Sequence, residues 1–103
     1  MTELTFLGLS HNEFSGDISP LANLTKLSGE LSLDGNQISD ISTLANLTEL
    51  TQLLLDENEI TDLSALANLT KLTSLFLAVN ALSAEAIATQ IPDLEARGVT
   101  VTR

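Results

Sequence analysis

A serine and a histidine stand side by side near the start of the chain, and these residue types can together form a hydrolase site. Ser10 precedes His11, the single histidine of the sequence. Adjacent residues of a strand point to opposite faces, and no Gly-x-Ser-x-Gly turn surrounds the pair. The sequence therefore predicts a polar end of a strand here and no catalytic group.

Two acidic turns have residue types that could bind a cation, Asp34-Gly35-Asn36 and Asp56-Glu57-Asn58-Glu59. A calcium loop of the EF-hand kind spans about twelve residues and ends in a glutamate, and neither turn continues in that way. Cysteine is absent, and no His or Cys cluster has the spacing of a zinc site. The pattern favours solvated turns, and we expect neither a metal nor a cofactor.

Charge narrows the class of partner. The 14 acidic and four basic residues give a formal net charge of −10. Such a surface repels nucleic-acid phosphates and anionic lipid headgroups, so the sequence predicts neither a nucleic-acid nor a membrane partner. The acidity is explained either by solubility or by attraction of a basic partner, and the composition leaves both open.

The strongest pattern in the sequence is an internal repeat. Asparagine recurs at positions 12, 36, 58 and 80, and a similar apolar pattern precedes each one. Within each copy, leucines alternate with polar or small residues, which is typical of a strand with one buried face. Such a strand cannot bury that face alone, so stacked copies are expected to form a parallel sheet over a continuous aliphatic core. Equivalent leucines lie 24, 22 and 22 residues apart, at Leu9, Leu33, Leu55 and Leu77.

This L-x-x-L-x-L-x-x-N-x-L pattern resembles the signature of the leucine-rich-repeat family over nearly the whole chain. The middle copies, with Ile38-Ser39-Asp40-Ile41 and Ile60-Thr61-Asp62-Leu63, are similar to the bacterial repeats of about 22 residues in internalin-like proteins. The first copy, with residues 9–19, resembles a plant-type repeat of about 24 residues. Its extra residues map most simply to Gly16 and Gly29. Ser28 holds the place of the second copy's first leucine, for which Leu27 compensates.

The resemblance implies an α/β fold, namely a short leucine-rich-repeat solenoid. It would have a curved parallel sheet of about five strands on the concave side, short 3₁₀ turns on the convex side, and a small C-terminal helical cap plus a final strand. We expect one domain over residues 1–103, with repeats at about 4–27, 28–49, 50–71 and 72–93 and a cap at about 83–103. The predicted strands are residues 5–9, 29–33, 51–55, 73–77 and 98–101.

The fourth copy departs from the repeat after Leu82. Ser83 is a good N-cap for a helix that runs to Gln90, and Pro92 can open a second short turn that Gly98 closes. Val99 and Val101 follow the two leucines of the fourth strand, Leu75 and Leu77, by 24 residues. The tail is therefore expected to add a fifth strand in that register and to cover the core.

Positions that face outward from the strands form three columns across the predicted sheet. They are Phe6, Glu30, Gln52, Ser74 and Gly98; Gly8, Ser32, Leu54, Phe76 and Thr100; and Ser10, Asp34, Asp56, Ala78 and Thr102. Leu54 and Phe76 are neighbours where polar side chains are expected, and Asp34 and Asp56 flank them. An apolar spot flanked by acids is typical of a protein-recognition patch, and two scattered exposed residues are the alternative.

The family binds chiefly through its concave face, so the resemblance implies a protein- or peptide-binding or scaffold module that is not an enzyme. The acidic charge leaves a basic protein or peptide as one option for the partner. The candidate binding residues on the concave face are Glu30, Ser32, Asp34, Gln52, Leu54, Asp56, Ser74, Phe76 and Ala78.

The alternative is a structural repeat domain, engineered or excised, that has no separate ligand and self-associates through an uncapped N-terminal edge. The first strand begins almost at Met1, and Leu4, Phe6 and Leu7 form the candidate edge of a weak homodimer. The first residues lack the basic and apolar segments of a secretory signal peptide. We therefore expect a cytoplasmic location unless the chain is a piece of a larger protein.

Overall fold

The computed structural model describes residues 5–11 and 18–103. In this part of the chain, five parallel strands form one sheet in chain order. This arrangement confirms the predicted α/β solenoid with its parallel sheet. Of the earlier predictions, those for Leu4, Asn12 and Gly16, and for residues 12–17 of the plant-type motif at 9–19, lie outside the described residues. The strands are β1 (Phe6–Gly8), β2 (Glu30–Ser32), β3 (Gln52–Leu54), β4 (Ser74–Phe76) and β5 (Thr100–Thr102).

Leucine side chains determine the register of the first four strands. Leu7, Leu31, Leu53 and Leu75 lie directly beside one another in the sheet. Leu53 and Leu55 are fully buried, as the alternating pattern predicts. Each strand is shorter than predicted, but the hydrogen-bond ladder continues past its end, since the N–H of Leu55 donates to the carbonyl of Phe76 at 2.8 Å. The core is an uninterrupted stack of aliphatic layers.

On the convex side, each coil returns through a single 3₁₀ helix, as predicted. These helices span Ser19–Asn23, Ser42–Asn46 and Ser64–Asn68. Each places one leucine in the core, where it packs behind the sheet: Leu21, Leu44 or Leu66. A repeat of this length leaves room for one tight turn between successive strands, and the 3₁₀ spacing provides it.

The extra residue of the second repeat is Ser28, which corrects the assignment to Gly29. Leu27 is buried and its N–H donates to the carbonyl of Leu24, as that of Leu50 does to Leu47 in the next coil. Leu27 therefore holds the place of the first leucine itself, and the exposed Ser28 is the insertion. Gly29 follows it in close contact with the first coil, because a Cβ there would lie 1.9 Å from the carbonyl oxygen of Thr5.

The predicted register of the fifth strand was wrong by two residues. Val101, and not Val99, pairs with Leu75. The cause is the end of the preceding helix, where Gly98 adopts φ +94° and the N–H of Val99 donates to the carbonyl of Leu94 at 3.1 Å. Val99 is thus the buried apolar residue that completes the C-terminal cap of this helix, in which Gly98 has the left-handed conformation. The strand starts after Val99.

The C-terminal cap is one continuous helical stretch and not two separate turns. Ser83 is its N-cap, as predicted, since its hydroxyl accepts the N–H of Ala86 at 3.1 Å. The stretch has π-helical spacing over Ala86–Gln90 and continues as α1 (Ile91–Ala96). Pro92 has no N–H and its ring crowds the preceding turn. The wider π spacing just before it accommodates the proline within the helix.

Asparagine side chains bridge neighbouring coils at the ends of the strands. The amide nitrogen of Asn58 donates to the carbonyls of Leu33 and Leu55, both at 3.1 Å, and its amide oxygen accepts the N–H of Ile38 at 3.0 Å. Asn36 and Asn80 donate to the equivalent carbonyls of their own and the preceding coil. The recurring asparagines at these three positions therefore have a structural role, in which each connects two successive coils.

We expect Leu55→Ala to destabilise the protein by about 2–5 kcal/mol, since so thin a core cannot collapse around the void. Asn58→Ala should cost about 1–3 kcal/mol, because it leaves buried backbone groups of two coils without partners. Urea unfolding followed by circular dichroism measures both changes. Thr70→Ala, at an exposed position, is the matched control and should stay near the wild-type free energy. Neutral Leu55 and Asn58 variants would contradict the stacked core.

Candidate functional site: the concave face of β2 to β5

The concave face brings the predicted columns together across the first four strands. Glu30, Gln52 and Ser74 are register partners in one column, and Ser32, Leu54 and Phe76 are partners in the next. The shift of β5 changes the fifth member of each. Thr100 pairs with Ser74 and Thr102 with Phe76, whereas Gly98 lies before the strand. The predicted places of Gly98, Thr100 and Thr102 in the columns were therefore wrong.

Leu54 and Phe76, the apolar pair, form the centre of this face. They are direct register partners on adjacent parallel strands, so their backbones are about 4.8 Å apart. Both side chains are half-buried. Their outer neighbours are hydroxyl residues, Ser32 beside Leu54 and Thr102 beside Phe76. The face thus presents one apolar island between polar strands.

Asp34, two residues after Ser32 in the coil beside Leu54, lies in a network of hydrogen bonds. The hydroxyls of Ser10 and Ser32 donate to its Oδ1 at 2.7 and 2.6 Å, and Nε2 of His11 lies 4.0 Å from its Oδ2. The expectation that Ser10 and His11 face opposite sides was wrong, because His11 has left the strand with φ 56°. The signal available in the sequence was Gly35, a residue suited to positive φ at the equivalent place in the next coil.

This network keeps Asp34 ionised. Partial burial by itself raises the pKa of the Asp34 carboxyl. The hydrogen bonds from Ser32 and Ser10 outweigh that effect, with smaller help from a backbone N–H and from the charge of His11, and the net pKa is below its ordinary value. Asp34 is therefore a fixed, negatively charged acceptor on the concave face.

Asp56 occupies the equivalent place on the following coil. Its Oδ1 accepts the backbone N–H of Ala78 at 2.7 Å, and its carbonyl accepts the N–H of Gly35 at 2.9 Å. The two acids therefore lie on adjacent coils, beside Ser32 and Leu54 of their own strands. Both are held by hydrogen bonds, one by hydroxyls and the other by the backbone.

The model of the family described as Leucine Rich repeats (2 copies) matches residues 2–46 and 30–68. The chain belongs to the leucine-rich-repeat family. An internalin (InlF) from Listeria monocytogenes is 39% identical, with a TM-score of 0.84 over 99% of this chain and 28% of that one. Internalin C2 from the same organism is 41% identical, with a TM-score of 0.70 over 84% of this chain and 37% of that one.

A leucine-rich-repeat protein of Leptospira interrogans, 20% identical, shares the fold, with a TM-score of 0.67 over 99% of this chain and 32% of that one. The present chain thus spans between 28% and 37% of the length of these three solved chains. A comparison with curated protein sequences gave no match. The predicted resemblance to internalin-like bacterial repeats is confirmed.

A second concavity of the repeat domain, of about 400 Å³, lies between the third 3₁₀ helix and α1. Gln90 spans it, accepting the N–H of Leu63 at 2.7 Å and donating to Asp62 at 2.7 Å. Arg97 donates to the carbonyl of Ala67 at 2.5 Å. Hydrogen bonds from Ser64 and then Gln90 lower the pKa of Asp62. These polar groups hold the cap against the repeats, and the repeat pattern of the sequence does not predict these contacts.

Among the described residues, no group of three or more His, Asp and Glu residues could hold a metal ion. No helix within residues 5–11 and 18–103 has the length and apolar character needed to cross a membrane.

We expect Ser32→Ala to raise the pKa of Asp34 towards its ordinary value, because the carboxylate loses a hydrogen bond. An NMR titration of the Asp34 side-chain carboxyl carbon measures this. The pKa of Asp34 is depressed in the folded state, so its contribution to stability is present above the unfolded pKa of about 3.9 and is lost as pH falls through the lower folded value. Acid unfolding of the variant should depend less on pH in that window.

The matched control for this titration is Ser74→Ala, which removes a hydroxyl of the same face two strands away from β2. It should leave the pKa of Asp34 as in the wild type. An unchanged Asp34 titration in Ser32→Ala would show that the serine network does not hold the carboxylate.

Proposed function

We propose that this repeat domain is a protein- or peptide-binding scaffold that uses the concave face of β2 to β5. Leucine-rich-repeat proteins of this kind are modules typically used for protein binding. The observation that supports the concave face is the apolar pair. In a column otherwise made of Gly8, Ser32 and Thr102, Leu54 and Phe76 keep apolar surface in contact with water, which a recognition surface would use.

The rigidity of this face favours binding. Leu54 and Phe76 lie within β3 and β4, whose backbones are hydrogen-bonded to neighbours on both sides. Side chains held on such a sheet lose little freedom when a partner docks, so less of the interaction energy is spent on ordering. Asp34 and Asp56, themselves held by hydrogen bonds, add fixed acceptors for the polar groups of a partner.

A displayed library of random linear peptides, selected on the immobilised protein, tests this proposal. We expect the selected peptides to bind the Leu54→Ser/Phe76→Ser double variant at least about tenfold more weakly than the wild type, the loss expected when central apolar residues of an interface are removed. Fluorescence anisotropy of labelled peptides measures the affinities.

The matched control for the double variant is Ile87→Ser. Ile87 is another exposed apolar residue, 46% accessible, but it lies on the C-terminal helical stretch. This control should bind as the wild type does, and circular dichroism should show all three proteins folded. Peptides that bind wild type and double variant equally would refute the use of the concave face.

A second candidate function, self-association through β1, is supported by Phe6. This side chain is 55% exposed on the strand at one end of the sheet, and Leu7 beside it packs against the core while half-buried. A terminal strand offers backbone groups for pairing. A two-fold axis beside it would pair two copies of β1 antiparallel and cover both ends with one interface.

We expect a weak homodimer, with the molar mass from light scattering rising with protein concentration. Phe6→Glu should abolish the rise, because it adds charge and removes apolar surface at the proposed contact. Gln52→Glu adds the same charge on β3 and serves as the control. A mass that stays monomeric at the highest concentration reached would contradict self-association.

A further inference from the structure

The ends of the strands carry a column of residues with left-handed backbone, here named the exit column. His11, Gly35, Glu57 and Val79 occupy the same place in successive coils, with φ of 56°, 73°, 59° and 60°. The N–H groups of the first three each donate to a carbonyl of the following coil, at 2.7 to 2.9 Å. These hydrogen bonds between coils hold the conformation at His11, Gly35 and Glu57, and Val79 shares it at the equivalent place of the fourth coil.

Val79 is the residue of the exit column that suits this conformation least. A β-branched side chain is strained in the left-handed region, where glycine carries no such penalty and asparagine a smaller one. Packing does not compensate for this strain, because Val79 is 73% exposed. Because the fold accepts glycine at this place in another coil, the presence of valine here is a reason to look for a function.

The position of Val79 links it to the concave apolar pair. It follows Phe76 and Ala78 in the same coil, and both of those residues are half-buried on the concave face. The His11 side chain extends along the solenoid towards the next coil, since a Cβ on Gly35 would lie 2.1 Å from its Nδ1. Glu57 stands one coil before Val79 in the exit column, so the column places an acidic residue next to Val79.

We propose that Val79 is an anchor residue of the binding face, and that the occupant is a peptide segment with an apolar side chain next to a lysine or arginine. This rests on the proposed function. The apolar side chain would cover Leu54, Phe76 and Val79, and the basic group would lie against Asp56 and Glu57 of the adjacent coil. A second copy of this chain fits less well, because each copy carries a net charge of −10.

Replacing Val79 should relieve backbone strain and so raise stability, but it should also remove a contact with the peptide and so weaken binding. A purely structural role for Val79 would not weaken binding. Val79→Gly and Val79→Asn should raise the Tm by about 4–8 °C, the shift for a modest relief of strain in a domain of this size. The same variants should bind the selected peptides about five- to tenfold more weakly, the loss for an apolar side chain of this size.

Two further variants separate the causes. Val79→Thr keeps the branched, strained shape but replaces a methyl by a hydroxyl, so it should weaken binding without raising the Tm. Glu57→Gln, at an exposed position, removes the neighbouring charge. It should weaken binding at low salt and reduce the salt dependence of the affinity.

The closing experiment measures the peptides selected from the random library on wild type, the Leu54/Phe76 double variant and the four variants above. Weaker binding to the Val79 variants, a higher Tm for the glycine and asparagine forms, and basic residues in the peptides support the inference. Three outcomes would overturn the inference about Val79 but leave the proposed function intact. They are peptides whose binding depends on Leu54 and Phe76 but not on Val79, peptides that lack basic residues, and a Tm that does not rise in the glycine and asparagine variants. Peptides that ignore Leu54 and Phe76 as well would overturn the proposed function.

Discussion

The bridging asparagine amide is the interaction on which this fold depends. Where a strand ends, the chain turns inward, and the carbonyls of two successive coils enter a region that water does not reach. The side chain of Asn58, which is 7% exposed, donates hydrogen bonds to the carbonyls of both Leu33 and Leu55. Its amide oxygen also accepts the N–H of Ile38. Buried groups of this kind cost free energy when they are left without partners. One side chain per coil thus keeps neighbouring turns at a fixed separation and in a fixed orientation.

Because the asparagines hold the backbone of each coil in place, the residue types allowed at inward positions differ from those allowed at outward positions. The buried apolar positions from Ile18 to Leu77 are all leucine or isoleucine, which fill layers a few side chains thick that touch only their neighbours. Outward positions are hardly constrained once the backbone is held. The concave face accordingly changes along the solenoid: Ser32 and Asp34 in one coil, Leu54 and Asp56 in the next, then Phe76 and Ala78. Polar character gives way to apolar character over three coils with the same backbone.

The sequence predicted the fold wherever a side chain and its spacing determine the structure. The Leu and Asn spacing placed β1 to β4 correctly, and Ser83 marked the start of the helix. The sequence-based prediction was wrong where backbone hydrogen bonds and φ angles determine the structure. Gly98 was recognised as a helix end, but not the use of Val99 to complete that end, so β5 was placed two residues early. The positive φ of His11 is held by a hydrogen bond to the next coil, and the sequence indicates it only indirectly, through Gly35 at the equivalent place.

The same reasoning explains why the candidate site could be predicted only in part. Leu54 and Phe76 stood out because they break a polar column, which alternation alone reveals. Val79 did not, because an exposed valine is ordinary until its φ is known. A left-handed backbone conformation stands out only where the side chain at that position is unsuited to it. In the exit column, Gly35 adopts positive φ without strain, whereas Val79 is strained there and its side chain remains exposed. The misfit between Val79 and its backbone, which only the structure reveals, is therefore the ground on which we propose a binding role for this residue.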